Sequence, residues 1–286
     1  MKSILIQLDT DPRPSTFDRV VAVDAGVEEL FSYGGVTPEN VEPLVHGAIF
    51  TRGPKDLKHT AIFVGGSQVT AGEALYEKVS QTFFGPMRVS LMMDSNGSNT
   101  TAAAAVLAAK KHLTLAGLPA LVLGGTGPVG HRVAQILASQ GALVRVASRT
   151  HDRAAQTVAA IKTVIPNAQL EPVATGTDAE LQVATEGIRL IVAAGAAGVE
   201  LLSESAWRSL TELCVLIDLN AVPPLGLGGV QVTDKGVERQ EIFCYGALGV
   251  GGTKMKIHKA AINKLFESNN LLLDTAAIYA IAESLG

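Results

Sequence analysis

Gly125-Thr126-Gly127-Pro128-Val129-Gly130 follows an apolar run, Ala120-Leu121-Val122-Leu123-Gly124, and opens a segment with helical spacing of its apolar residues. Glycines in this pattern allow a tight turn, let bare backbone approach a phosphate, and let a helix pack closely on a strand. The free amides and positive dipole end of that helix would then hold a dinucleotide pyrophosphate. Val129, Val133, Ile136 and Leu137 fall on one helical face, and Gly141 is placed to end the helix. The glycine pattern is weak by itself; with a strand before it and a helix after it, a dinucleotide site is the expectation.

The next strand, Leu143–Ala147, ends in Ser148-Arg149-Thr150. An NAD-preferring site usually carries Asp or Glu about 20 residues past the glycines, to bind the ribose hydroxyls. Here Arg149 stands nineteen positions after Gly130 (149 − 130). A guanidinium suits a 2′-phosphate, and no carboxylate is there to repel one. NADP is therefore the expected cofactor, with NAD as the weaker alternative; the plain competing reading is an exposed arginine at a strand end. Ala194 and Asn220, the first residues past the strands Arg189–Ala193 and Cys214–Leu219, join the cofactor set.

Three other segments carry unusual chemistry at strand ends, where open parallel sheets bind ligands. Asp9-Thr10-Asp11 could hold a polar substrate or a metal, and could equally end a strand and cap the next helix; with no further oxygen ligands nearby in sequence, no metal is assigned. Asp94-Ser95-Asn96-Gly97-Ser98-Asn99-Thr100-Thr101 is a run of eight small polar residues at a helix start. Capping needs only one or two of them, so substrate binding is favoured, with Asp94, Asn96, Ser98, Asn99 and Thr100 as the candidates. Gly246–Lys254 reads as a glycine-rich link before a long helix, either a surface for a flat ligand beside Lys254 or a hinge with Lys254 and Lys256 on a solvated face. Arg52, Lys55, Lys58 and His59 form a basic loop, best read as solvated. No Ser-His-Asp order and no Cys/His metal spacing stands out, so hydride transfer fits better than hydrolysis.

These residues need a frame, and the chain alternates strand and helix throughout. Ser3–Leu8, Ala48–Phe50, Ala61–Val64 and Met87–Met93 read as strands of the first half. Ser15 caps a helix carrying Phe17, Val20 and Val21, and helices are expected over Val69–Phe83 and Asn99–His112. Leu115–Pro119 looks like the link to the second half. Strands there are Ala120–Leu123, Leu143–Ala147, Gln169–Val173, Arg189–Ala193, Cys214–Leu219 and Ile242–Tyr245. Helices at Thr253–Phe266 and Asp274–Leu285 close the chain. The fold class is α/β: an N-terminal domain with a parallel sheet (1–115), a Rossmann NAD(P)-binding domain (116–252), and C-terminal helices (253–286) returning to the first domain.

With 286 residues, 47% of them hydrophobic, the chain can build two cores. A net charge of −4 argues against nucleic acid or an anionic membrane as partner. Gln7, Asp9 and Asp11 interrupt the first apolar run, so no signal peptide is expected, and Cys214 and Cys244 fit a reduced, cytoplasmic setting.

Several of these motifs together resemble the bacterial methylene-tetrahydromethanopterin dehydrogenases of methylotrophs. They are Asp9–Asp11, Ser15–Asp18, Gly34–Pro38, Phe63–Gly66, Phe83–Pro86, Asp94–Thr101, Gly124–Gly130, Ala221–Gly226, Gly246–Lys254 and Lys264–Ser268. The resemblance runs through nearly the whole chain. It implies a pterin-linked dehydrogenase of one-carbon metabolism, oxidising the methylene group on tetrahydromethanopterin to methenyl and reducing NADP or NAD. Some members also accept methylene-tetrahydrofolate, and members vary around Arg149 and Thr150. The family's active-site lysine falls on Lys254, and the first domain becomes the pterin domain, with Asp9, Asp11 and Phe17 added to the polar run as substrate residues. A homo-oligomer is expected.

Hydride leaving a carbon between two nitrogens yields an amidinium-like cation, and no proton has to be removed. The absence of an obvious catalytic histidine is then expected. A carboxylate near the cation would stabilise it, with Asp9, Asp18, Asp94 and Asp218 as candidates. The rival readings are a dehydrogenase for methylene-tetrahydrofolate or a shikimate-like acid, and a non-catalytic NADP sensor.

Overall fold

The computed structural model describes all 286 residues. The chain forms two compact units, one of residues 1–100 with 255–286 and the other of residues 101–254.

The first unit is built on a five-stranded sheet of β1 (Ile4–Asp9), β2 (Glu29–Tyr33), β3 (Thr60–Gly65), β4 (Ser90–Met93) and β12 (Leu272–Leu273), in the order β12-β4-β3-β1-β2. Every pairing is parallel. β3 and β4 are buried along their whole length, which is why they read as unbroken apolar runs. α1 (Thr16–Asp24), α2 (Glu42–Ile49) and α3 (Val69–Thr82) connect the strands, and α10 (Thr275–Ser284) ends the chain. Ser15 caps α1 by accepting the Asp18 amide at 3.2 Å. The core under the sheet gathers Leu8, Val45, Ile49, Ile62, Leu75 and Leu91.

Ala48–Phe50 is not a strand. Ala48 and Ile49 form the last turn of α2, which Pro43 helps to start. A three-residue apolar run fits either period, and only the buried stripe Val45, Ala48, Ile49 reveals the helix. β2 escaped the sequence reading because it is a half-exposed edge strand.

The second unit carries a seven-stranded sheet ordered β10-β11-β9-β8-β5-β6-β7. Its strands are β5 (Pro119–Leu123), β6 (Leu143–Ser148), β7 (Leu170–Ala174), β8 (Leu190–Ala193), β9 (Val215–Asp218), β10 (Lys235–Arg239) and β11 (Ile242–Tyr245). Only β10, an edge strand joined to β11 by a tight turn, runs antiparallel. The six parallel strands reproduce the doubly wound dinucleotide-binding order, reversing direction between β5 and β8. α5 (Pro128–Ser139), α6 (His151–Val164), α7 (Asp178–Thr185) and α8 (Glu204–Arg208) link them. Gly141, with φ +80°, ends α5 as expected.

Two helices, α4 (Ser98–Lys110) and α9 (Ala247–Lys264), contain the unit boundaries, so neither boundary coincides with a loop such as 115–119. The Gly246–Lys254 segment is a further correction: apart from Gly246 it is the start of α9, not a link. Two of its four glycines answer a packing demand. A Cβ on Gly246 would lie 2.0 Å from the Gln231 carbonyl oxygen, and one on Gly249 would lie 1.7 Å from that of Asp234. The Leu248 amide donates to Val232 O at 2.8 Å, so the helix start is stitched to the 231–234 backbone. No helix is long and apolar enough to cross a membrane.

Candidate active site

In the second unit the sheet reverses direction between β5 and β8, and the glycine turn sits at that point. The Gly125 amide donates to Ala147 O at 2.9 Å, tying the turn to the end of β6. A Cβ on Gly130 would stand 2.4 Å from the Gly124 carbonyl oxygen, and one on Gly124 would stand 2.7 Å from the backbone of Gly195. A Cβ on Gly127 would lie 3.3 Å from Gly124 O and 3.4 Å from Ala194 O. Side chains are thus excluded where the turn, α5 and the β8 end meet. The amides of Thr126, Val129 and Gly130 have no partner within the fold, and they cluster at the positive end of α5. This cradle of bare backbone and free amides fits the pyrophosphate of NADP or NAD.

Ser148 is buried at the end of β6, its Oγ 3.5 Å from Thr126 Oγ1. Arg149 and Thr150 follow in exposed positions, and Arg149 forms no ion pair that would divert its guanidinium. Ala194 continues β8, its amide bonded to Leu123 O at 2.9 Å, beside Gly127. Asn220 is set in a different loop, and its side chain is spent there. It accepts the Val222 amide at 3.0 Å and donates to Pro224 O at 3.4 Å. The loop is organised by buried Asp218, which accepts the Asn220 amide at 3.0 Å and the Leu227 amide at 2.8 Å. Burial pushes the Asp218 carboxyl above the usual carboxylate range, against the pull of these backbone donors.

In the first unit the sheet reverses between β1 and β3, and Asp9, Asp11 and Gly65 stand at those strand ends. Asp9 is buried and accepts the amides of Asp11 and Ser15, both at 2.9 Å. Asp11 bridges to the Ser67 amide and hydroxyl, each at 2.9 Å. A Cβ at Gly65 would lie 3.3 Å from Asp9 Oδ2 and 3.6 Å from Asp18 Oδ2, so two carboxylates flank this bare backbone. Phe17, half exposed in the first turn of α1, stands beside them in sequence.

The 94–101 run is largely turned inward. Asp94 accepts the Asn99 amide at 2.9 Å, the Thr100 amide at 3.0 Å and the Thr100 hydroxyl at 2.6 Å, and so caps α4. Asn99 donates to Met93 O and accepts from Thr275. Both ends of its amide are therefore occupied. Ser98 is fully buried with an unmatched Oγ, whereas Asn96, at φ 55°, occupies the exposed tip of the turn. Capping, given second place from sequence, accounts for most of these residues.

The sequence reading missed His258. This fully buried ring stacks on Phe63 at 5.7 Å and 22°, stands 6.5 Å from the Phe17 ring, and brings Nδ1 to 3.8 Å from Asp94 Oδ2. One histidine among six gives no signal in sequence; its position one turn past Lys254 on α9 was the available hint. Lys254 itself is half buried on α9.

Both sheets and their reversal points define a two-unit α/β fold of the Rossmann dehydrogenase type. Shikimate 5-dehydrogenase of Listeria monocytogenes, solved with shikimate and NAD, shares this fold with a TM-score of 0.57 at 13% identity, over 100% of this chain and 96% of that one. Quinate dehydrogenase of Corynebacterium glutamicum gives 0.53 at 15% identity, over 99% of each chain. The closer relationships are in sequence. Residues 16–96 match the N-terminal domain family of methylene-tetrahydromethanopterin dehydrogenase. Bifunctional protein MdtA of Methylorubrum extorquens is 45% identical over 99% of both chains. The NAD(P)-dependent methylenetetrahydromethanopterin dehydrogenase of the same organism is 31% identical over 98% of both. The chain belongs to the methylene-tetrahydromethanopterin dehydrogenase family and is an oxidoreductase.

Proposed function

We propose that the chain oxidises methylene-tetrahydromethanopterin to the methenyl form, with NADP as preferred hydride acceptor and NAD as the weaker one. The observation that carries this reading is the bare glycine cradle followed by an uncommitted Arg149, in a chain similar along its whole length to an enzyme named for that reaction. The bound nicotinamide supplies a ring carbon that accepts hydride. The amides of Thr126, Val129 and Gly130 hold the pyrophosphate, with Gly125, Gly127 and Pro128 shaping the turn. Arg149 takes the 2′-phosphate, assisted by Thr150, while Ser148 and Ala194 set the floor.

The residues 1–100 with 255–286 form the substrate unit. Phe17 offers an aromatic face to the pterin and the exposed Asn96 a polar contact, while the fully buried Ser98 supports the turn from within. Asp94, Asn99, Thr100 and Asp11 act on substrate by fixing the turns that present those groups. Asp9 and Asp18 at Gly65 supply negative charge for the amidinium-like product. Lys254 would repel that cation if aimed at its carbon, so its role is to orient the polar edge of the pterin or a neighbouring carboxylate. No general base is required because only hydride leaves.

The test is steady-state turnover of methylene-tetrahydromethanopterin with NADP and with NAD, with methylene-tetrahydrofolate in parallel. Turnover with the methanopterin substrate and a higher kcat/KM for NADP is expected. Turnover with folate alone would move the enzyme to another pathway, and inactivity in protein that binds NADPH would leave the NADP-sensor reading.

A further inference from the structure

Gly176 follows β7, and its φ lies outside the left-handed region, so backbone conformation does not explain a glycine there. Its neighbours do. A Cβ at this position would lie 2.7 Å from the Arg149 carbonyl oxygen and 3.7 Å from the Arg149 carbonyl carbon. Nothing in that contact involves a side chain able to swing away.

The adjoining residues hold the same stretch of β6. The Thr175 amide donates to Ser148 O at 2.8 Å, and Thr175 Oγ1 donates to the same oxygen at 3.3 Å. Gly176 and Thr177 in turn give their amides to Glu180 Oε2, both at 2.9 Å, and Glu180 belongs to a reciprocal cap that starts α7. The 175–177 turn is thereby fixed to its own helix on one side and to the Ser148–Arg149 backbone on the other.

We propose that the Thr175-Gly176 turn is a positioning device for cofactor specificity: it sets the backbone from which Arg149 reaches the 2′-phosphate. The inference rests on the assignment of Arg149 as the 2′-phosphate ligand. An ordinary carbon–oxygen contact needs about 3.4 Å, so a Cβ on Gly176 displaces the Arg149 carbonyl by roughly 0.7 Å. Guanidinium–phosphate bonds are made within a narrow range near 2.8 Å, and a fork displaced by this much keeps one bond of two at best.

Three variants test it: Gly176→Ala, Thr175→Val and Arg149→Ala, each checked by circular dichroism and thermal melting. The probes are 2′,5′-ADP and 5′-AMP, which differ only in the 2′-phosphate. Gly176→Ala is expected to weaken 2′,5′-ADP about tenfold and leave 5′-AMP within about twofold. Adding Gly176→Ala to Arg149→Ala is expected to weaken 2′,5′-ADP no further, because both changes act through one contact. Equal losses for both nucleotides, unchanged 2′,5′-ADP binding, or additive losses in the double variant would each overturn the proposal. If Gly176→Ala does not fold, Thr175→Val decides: it removes one bond to Ser148 and should reduce 2′,5′-ADP affinity alone, and no change there is equally fatal. Unaltered 2′,5′-ADP binding by Arg149→Ala would refute the Arg149 assignment itself, separately from the role of the turn.

Discussion

Replacing Gly130 by alanine puts a methyl group where the structure has backbone on every side. The new carbon would lie 2.4 Å from Gly124 O, 2.9 Å from Gly125 Cα and 3.0 Å from the Gly124 carbonyl carbon. Relief to an ordinary carbon–oxygen distance requires about 1 Å of movement between α5 and the turn. Overpacking of this kind costs about 1–3 kcal/mol, a fall in melting temperature of roughly 3–10 °C for a unit of this size. The same movement withdraws the amides of Thr126, Val129 and Gly130 from a pyrophosphate placed for the native turn. Loss of one charge-assisted bond, about 1.5–3 kcal/mol, weakens NADPH about 10- to 100-fold. Gly141→Ala is the control. Its φ of +80° makes alanine strained, yet the nearest atom is 3.7 Å away and the site is not involved, so about 1–2 kcal/mol of stability should go with no loss of affinity. Titration of NADPH fluorescence beside thermal melts separates the two effects. A folded Gly130→Ala protein with native NADPH affinity would refute the cradle.

Three other outcomes follow from the same geometry. Lys254→Ala should fold, bind NADPH normally and lose most of its kcat/KM for the pterin; full turnover in steady-state assays would remove Lys254 from the site. Asp94→Ala strands the Asn99 and Thr100 amides and the Thr100 hydroxyl in a buried setting, so urea unfolding should show a loss of about 2–4 kcal/mol. His112 stacks on Phe243 at 3.9 Å and meets the Tyr245 hydroxyl at 2.8 Å, and burial, aided by the Lys111 charge, holds its pKa below the ordinary 6.5. A depressed histidine pKa favours the neutral ring. Its stabilising share is therefore complete above pH 6.5 and is lost as the pH falls through the lower folded value. His112→Phe should flatten the drop in melting temperature between about pH 8 and pH 5, and an unchanged drop would contradict that assignment.

The dinucleotide turn was legible because its chemistry is local: strand, glycines, helix and Arg149 lie within thirty residues of one another. The long buried strands were equally plain. Edge strands were not, since β2 is half exposed and β12 has only two residues, and both exist through pairing partners distant in sequence. The Gly246–Lys254 glycines looked like a loop because glycine punctuates sequences, whereas Gly246 and Gly249 let a helix start press on backbone fifteen residues upstream. The polar run at 94–101 shows the same limit from the other side. Residue types advertise hydrogen-bonding capacity, and only the fold shows that Asp94, Asn99 and Thr100 use it on one another and on the backbone. His258 and Gly176 were invisible for a related reason, as their roles lie in what they touch.

Isotope transfer follows the hydride itself from the pterin's methylene carbon to NADP. Methylene-tetrahydromethanopterin carrying two deuterons on that carbon would be oxidised in ordinary water, and the nucleotide product examined by mass spectrometry. Direct transfer places one deuteron in each NADPH formed and leaves one on the methenyl carbon. Unlabelled NADPH, or no turnover by protein shown to bind NADPH, would contradict it.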